Sequence, residues 1–379
     1  MIIVHTHHHY WPVAGGIENA IKYLAEEQAK LGHEVHIVTG TYGAQKRPRE
    51  EEINGVHVHR IKAWRLGYPD LTIPRETPRE LLKRADVIHA HSQNSLFSVR
   101  IAQEAHELGV KVAIHYMAVD TLQTHPNPAI RLLGPIYARR NLEMAKEIAD
   151  IHLARSKRDV EKLRKYGIQA HYLPDAIPKH YLTKPKADPE EFRRKYGITQ
   201  DKLFIYIGRI HKLKGPHVLV KALPYLSNDI AIIMAGPDNG YLKQTLELAN
   251  KLHVKDRLYY LGYVDEDTKI NAIDASTALV LPSTTDYVEV YPMTITEAWA
   301  REKPVIATNV GGIPYRVTHG INGLIIPPNN PQELAKAIQQ LANNPEKTQQ
   351  MGKEGKKEIK TWDEIAKETI KIYNTTNNP

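Results

Sequence analysis

The sequence predicts an α/β protein of two doubly wound domains, each a parallel sheet with helices on both faces. Three observations lead there. The chain has 379 residues, more than the ~250 to 300 at which a single hydrophobic core stops growing. Short apolar runs bounded by glycine or polar clusters alternate with longer amphipathic stretches, the pattern of βαβ units. That alternation runs once, breaks, and starts afresh after Tyr196.

In the first half, residues 2–4, 34–38, 56–61, 87–90, 110–115 and 151–154 read as strands. Between the first two, Ile17, Ala20, Ile21, Leu24 and Ala25 recur at helical spacing and Gly32 supplies a stop, so 17–31 reads as a helix with one face turned inward. Residues 173–178 and the polar stretch that follows, with Pro185 and Pro189, form the linker candidate, and the boundary falls near residue 180. In the second half, 203–207, 230–235, 258–261, 278–281, 304–307 and 323–326 read as strands. In the tail, Ile365, Ala366, Thr369, Ile370 and Tyr373 share one helical face, which needs a surface to cover. Open sheets of this kind bind ligands just outside their strand C-termini. Two such domains turned toward one cleft suit a reaction that joins two substrates.

Hydrophobic residues make up 42% of the chain and charged residues 25%, the mix of a soluble globular protein. No apolar run approaches the ~18 to 20 residues of a spanning helix. Residues 1–4 enter a strand directly, with no charged n-region or cleavage site, so no signal peptide is expected and a cytoplasmic location is. The absence of cysteine excludes disulfides, thiolate metal sites and a cysteine nucleophile. A net charge of +8 admits nucleic acid, an anionic membrane surface or an anionic small ligand as partner. Basic residues are not interleaved with aromatics as in a nucleic-acid module, so no nucleic-acid partner is expected. The densest basic run, 155–165, reads as the solvated face of a helix carried by Val160 and Leu163, with peripheral contact to the inner membrane face as the alternative.

The most informative segment is 282–300, where Glu289 and Glu297 stand with seven residues between them, after a strand ending at Leu281. With Glu289 on the loop and Glu297 on the helix that follows, both carboxylates can accept hydrogen bonds from paired sugar hydroxyls; two acids on a surface are the plain alternative. Upstream, a strand ends at Gly208 and is followed by Arg209 and Lys214. Arginine grips phosphate oxygens with two parallel N–H donors and lysine adds a point charge, so the two suit a diphosphate, against a basic turn capping a strand. Gly311-Gly312 and Gly15-Gly16 follow other strands and permit close backbone approach, the second pair at a helix start that favours phosphate. Asp265-Glu266-Asp267 fits an Asp-x-Asp metal signature but precedes a helix and reads as N-cap acids. His5, His7, His8 and His9 crowd the end of the first strand, where they line the acceptor side, form a polar strand end, or hold an adventitious metal.

Taken in order, Gly15-Gly16, residues 86–91, His115, Gly208-Arg209 through Lys214-Gly215, the Glu289 and Glu297 pair, Gly311-Gly312-Ile313-Pro314 and Asn322-Gly323-Leu324 resemble glycosyltransferase family 4 over nearly the whole chain. The resemblance implies the GT-B fold: two Rossmann-like domains facing across a deep cleft, with a C-terminal helix crossing back to the N-domain. Residues 1–180 would bind the acceptor, 181–360 the nucleotide-sugar, and 361–379 would be the crossover helix. It further implies a retaining hexosyltransferase that uses a UDP-sugar or GDP-sugar as co-substrate, with no metal and no other cofactor. The acceptor would be a sugar, a sugar phosphate or a lipid-linked sugar. Arg209 and Lys214 would hold the diphosphate after Gly208. Glu297 would bind the ribose, Glu289 the transferred sugar beside the amides of Met293 and Thr294, and Tyr263 the base. Gly15 and Gly16 would approach the diphosphate and His115 the sugar. An epimerase of the same fold and a non-catalytic nucleotide-sugar-binding module are the alternatives. The chain departs from the family at Tyr291-Pro292, where a small residue is usual, at Tyr315, where an acid is usual, and at Asp175-Ala176, where Asn-Gly is common.

Overall fold

The computed structural model describes residues 1–13 and 15–375. The chain divides into two compact units, Met1–Ala176 together with the segment from Lys360 onward, and Ile177–Ile359. The divisions fall at 176/177 and 359/360, not at 180 and 360. The proposed linker is also no free tether. Residues 173–177 are buried, and the carbonyls of Tyr181, Lys184 and Pro185 accept hydrogen bonds from the buried guanidinium of Arg301, which Asp274 pairs at 2.6 Å. Pro189 opens the helix Pro189–Tyr196 under an Asp188 cap, since its missing N–H costs nothing at a helix start.

The N-terminal unit carries β1 (Ile2–His7), β2 (Glu34–Gly40), β3 (Glu50–Ile53), β4 (Val56–Ile61), β5 (Ala63–Arg65), β6 (Thr72–Pro74), β7 (Val87–His91), β8 (Lys111–Tyr116), β9 (Ile151–Ala154) and β10 (His171–Tyr172). Its main sheet has the order β10-β9-β8-β7-β1-β2-β4-β3, and β5 and β6 form a separate hairpin. All ladders of the main sheet are parallel except β3–β4. The sequence reading misses β3 because three glutamates give it no apolar alternation. It is a charged edge strand, paired by Glu50 to His59 and by Glu51 to Arg60. The helix Trp362–Thr375 belongs to this unit, burying Trp362, Ile365, Ala366 and Tyr373 in one cluster with Ile3, Leu24 and Val87.

The C-terminal unit carries β11 (Lys202–Ile207), β12 (Ile230–Ala235), β13 (Leu258–Gly262), β14 (Ala278–Leu281), β15 (Val305–Thr308) and β16 (Gly323–Ile326) in the order β13-β12-β11-β14-β15-β16, all parallel. Side chains of β11 alternate between two cores, Phe204 and Tyr206 in one, Leu203, Ile205 and Ile207 in the other, as a sheet covered on both faces requires. The chain moves outward from β11 to β13, then returns beside β11 with β14. The topological switch point therefore lies between β11 and β14, and in the other unit between β1 and β7. No helix among the described residues is long and apolar enough to cross a membrane.

Candidate functional site

The loops leaving β11 and β14 flank the switch point of the C-terminal sheet, the place where open α/β sheets bind ligands. After β11 the chain passes Gly208 and Arg209 into a single 3₁₀ turn, Lys212–Lys214, capped by the His211 ring. Gly215 ends the turn at φ +76°, and a Cβ there would lie 2.0 Å from the Pro282 carbonyl oxygen. Only glycine lets the two loops meet so closely. Their contact sets the Lys214 Nζ against Glu289, donating to Oε1 at 2.6 Å and to the Val288 carbonyl at 3.3 Å. The Ser283 hydroxyl donates to the same carboxylate oxygen, and Glu289 is 1% exposed. Gly311 and Gly312 close the other side. The Gly312 amide donates to the Glu289 carbonyl at 2.7 Å, and a Cβ on Gly311 would stand 2.0 Å from that same oxygen. The close approach anticipated for a ligand is made to the loop that carries Glu289.

Glu297 lies on the helix Met293–Ala300. Its Oε1 accepts from Lys269 Nζ at 2.9 Å, while Oε2 has no hydrogen-bond partner. Lys269 also pairs with Glu266 at 2.8 Å. Burial opposes its charge, but the Glu297 and Glu266 carboxylates outweigh burial and hold the ammonium above the ordinary lysine range. Pro292 precedes the helix and no side chain caps it, so the amides of Met293 and Thr294 at its first turn are free to donate. Arg316 fixes the unusual Tyr291-Pro292 pair: its guanidinium stacks 3.9 Å from the Tyr291 ring centre and donates to the Pro292 carbonyl at 2.7 Å. Arg209 is exposed and its guanidinium makes no hydrogen bond or ion pair among the described residues. Tyr263, past the end of β13, is 81% exposed. Asp265 caps the helix Glu266–Ala275 through the Thr268 amide. Lys269 and Arg316 are not legible in the sequence because each acts through a partner distant in the chain, Glu297 and the Pro292 carbonyl; Ser283, whose partner Glu289 lies in the same loop, carries a signal in its place just past a strand end.

His115, Gly15 and Gly16 belong to the N-terminal unit. Gly15 is the N-cap of the helix Gly16–Lys30, and the Glu18 carboxylate folds back over it, so a Cβ on Gly15 would lie 2.2 Å from Glu18 Oε2. The anion position expected at this helix start is thus taken by a side chain of the protein. Arg155 pairs with the buried Asp175 and donates to the Gly16 carbonyl at 3.3 Å. This pair occupies one of the family departures. His115 donates through Nε2 to the Leu173 carbonyl at 3.1 Å, which leaves Nδ1 to accept from His89 at 3.3 Å; His89 in turn accepts from the Tyr373 hydroxyl at 2.6 Å. His5 donates to Gln28 at 2.7 Å and accepts from His91 at 2.9 Å. Burial holds His5 down at about 4 and His115 at about 3, so these imidazoles are neutral. The run His5 to His9 is no exposed patch: His5, His7 and His8 are buried. Among the described residues, the group whose ligand atoms all lie within 4.8 Å of one another is His5, His89 and His91, drawn from β1 and β7.

Residues 15–174 match the family described as "Glycosyl transferase 4-like domain" and residues 188–358 the family "Glycosyl transferases group 1". The chain is 25% identical to an uncharacterized glycosyltransferase of Methanocaldococcus jannaschii, over 95% of this chain and 94% of the relative. It is 26% identical to a D-inositol 3-phosphate glycosyltransferase of Streptomyces bingchenggensis, over 98% and 88%. Among solved structures, Anabaena HepE in complex with UDP superposes with a TM-score of 0.80 at 19% identity, over 99% of each chain, which places the fold among the GT-B proteins. With one domain family matched in each half and together spanning most of the sequence, the chain belongs to the family 4-like, group 1 glycosyltransferases and is an enzyme of that class.

Proposed function

We propose that the protein transfers a hexosyl unit from a nucleoside-diphosphate sugar to a sugar, sugar-phosphate or lipid-linked acceptor, with retention of configuration and without a metal. The observation that carries this reading is the meeting of Lys214 with buried Glu289 at the switch point, beside an unpaired Arg209. A nucleoside diphosphate is already an activated leaving group, so the protein's work is positioning and stabilising charge as the anomeric C–O bond breaks. The electron pair of that bond passes to a phosphate oxygen, which Arg209 grips through paired N–H donors and Lys214 through its point charge.

Glu289 accepts from hydroxyls of the transferred sugar, near the Met293 and Thr294 amides, and Glu297 offers its unpartnered Oε2 to the ribose. Tyr263 lies by the base. The acceptor hydroxyl attacks the face from which the nucleotide departs, within an ion pair, and its proton leaves with the phosphate. Gly15 and Gly16 offer helix-start amides to the diphosphate, which requires Glu18 to swing aside. His115 serves as a positioning group, since both its nitrogens are engaged. Structures of Anabaena HepE hold UDP, UDP with glucose, and UDP-glucose, so a uridine nucleotide-sugar is the first donor to try. Incubation with UDP-glucose and a panel of acceptor sugars, with and without chelator, tests the reading. A glycosylated product of retained configuration, unaffected by chelator, is expected. An isomerised sugar from donor alone would make it an epimerase, binding without turnover a binding module, and loss of activity with chelator would overturn metal independence.

A further inference from the structure

We propose that one face of the N-terminal unit, formed by the first half of the helix Pro128–Ile148 and the β5–β6 hairpin, docks on the surface of an anionic phospholipid bilayer. A helix in a globular protein turns its apolar stripe inward. Here Leu132, Leu133 and Ile136 are 75%, 63% and 71% exposed, and clustered exposure of large apolar side chains marks an interaction site. Between this helix and the hairpin loop lies a groove of about 280 Å³ walled by Tyr68, Leu71, Leu122, Ile130, Leu133 and Tyr137. The Tyr137 hydroxyl is satisfied inside the protein, donating to the Asn94 carbonyl at 2.5 Å. The hairpin adds Trp64 and Leu66, 56% and 58% exposed, with the Arg75 guanidinium 5.2 Å from the Trp64 ring centre. A tryptophan with a cation beside it suits the boundary between acyl chains and headgroups.

Charge chooses the occupant. Residues 121–140 contain Arg131, Arg139 and Arg140 and no aspartate or glutamate. Arg131 and Arg140 are exposed and their guanidinium groups make no hydrogen bond or ion pair among the described residues. The hairpin segment 62–75 adds Lys62, Arg65 and Arg75 against one acid, Asp70. An apolar patch with a basic rim matches a surface of anionic headgroups over hydrocarbon. The basic run 155–165 offers no such apolar patch: it forms the helix Lys157–Lys165, whose Leu163 is buried, whose Lys162 donates to the Val119 carbonyl at 2.8 Å and whose Lys157 lies over Tyr172. The helix and the hairpin follow the C-terminal ends of β8 and β4, the edge at which the acceptor of the proposed function is sought. A lipid-linked acceptor rests on that proposal; the docking does not.

Flotation of the full chain with phosphatidylcholine vesicles and with phosphatidylcholine/phosphatidylglycerol vesicles tests the inference. Binding to the anionic vesicles at low salt, weak binding to the neutral ones, and release by high salt are expected. Combined Leu132→Ser, Leu133→Ser and Ile136→Ser should abolish flotation while keeping the wild-type melting temperature, because these side chains are exposed. Arg131→Gln with Arg140→Gln should weaken it by about fivefold per arginine. Nucleotide-dependent thermal stabilisation should be unchanged in both variants, so failure of docking and failure of the donor reading are told apart. No flotation at low salt, flotation unchanged by either variant, or a dimer in solution that the serine variant converts to monomer would overturn the proposal.

Discussion

Arg209 and Lys214 follow the same strand, yet their surroundings predict different costs of removal. Arg209 is exposed and unpaired, so Arg209→Ala should leave stability unchanged and lower kcat by about a hundredfold, the scale of one lost charge-stabilising donor. Lys214 neutralises a carboxylate that is 1% exposed, so Lys214→Ala should lower activity and also destabilise the fold by about 3 kcal/mol, the cost of stranding a buried charge. Urea melts beside initial rates separate the two; equal stability of the variants would contradict the assignment. Both cations were legible in the sequence, as were Glu289 and Glu297, because each stands at a fixed offset from a strand end. Their pairing was not, nor was the role of Gly311-Gly312, because which groups touch depends on how two loops far apart in the chain fold against each other.

At the scale of elements, β1, β7 and β8 carry histidines into the interior, and this makes stability depend on pH. Burial depresses His5 to about 4 and His7 and His115 to about 3, below the ~6.5 of an exposed imidazole. As pH falls through 6.5 the unfolded chain takes up protons that the folded chain refuses, so stability present above 6.5 is lost progressively toward 4 and 3. At pH 5 the loss is on the order of 2 kcal/mol per buried imidazole. Asp70, raised to about 6 by burial, works in the opposite direction, as do the Glu18 and Asp159 carboxyls, which burial also raises, but the depressed histidines, His8, His89 and His91 among them, outnumber these three. Denaturant midpoints at pH 7.5 and pH 5 should differ accordingly; equal midpoints would mean that the histidines are protonated in the native state. Strand positions were legible from apolar runs, and Trp362 to Tyr373 from helical spacing. The glutamate-rich β3 and the β5–β6 hairpin were not, since charge pairing and a loop contact, not periodicity, hold them.

At the scale of the whole molecule, the doubling of the βαβ alternation was enough to read two domains, and both units prove to be doubly wound sheets with a switch point. The division points were less legible because Arg301 and Asp274 gather the supposed linker into the C-terminal unit, which no local composition announces. In the proposed function, the switch point of that unit binds the diphosphate of a nucleotide-sugar through Arg209 and Lys214. Thermal unfolding of the wild type and of Arg209→Ala with UDP-, GDP- and ADP-sugars tests it most directly, since a ligand at 100 times its dissociation constant adds about 2.7 kcal/mol to stability. A raised melting temperature with one nucleotide class is expected for the wild type and a much smaller rise for Arg209→Ala, which melts like the wild type without nucleotide. An equal rise in both proteins would contradict it.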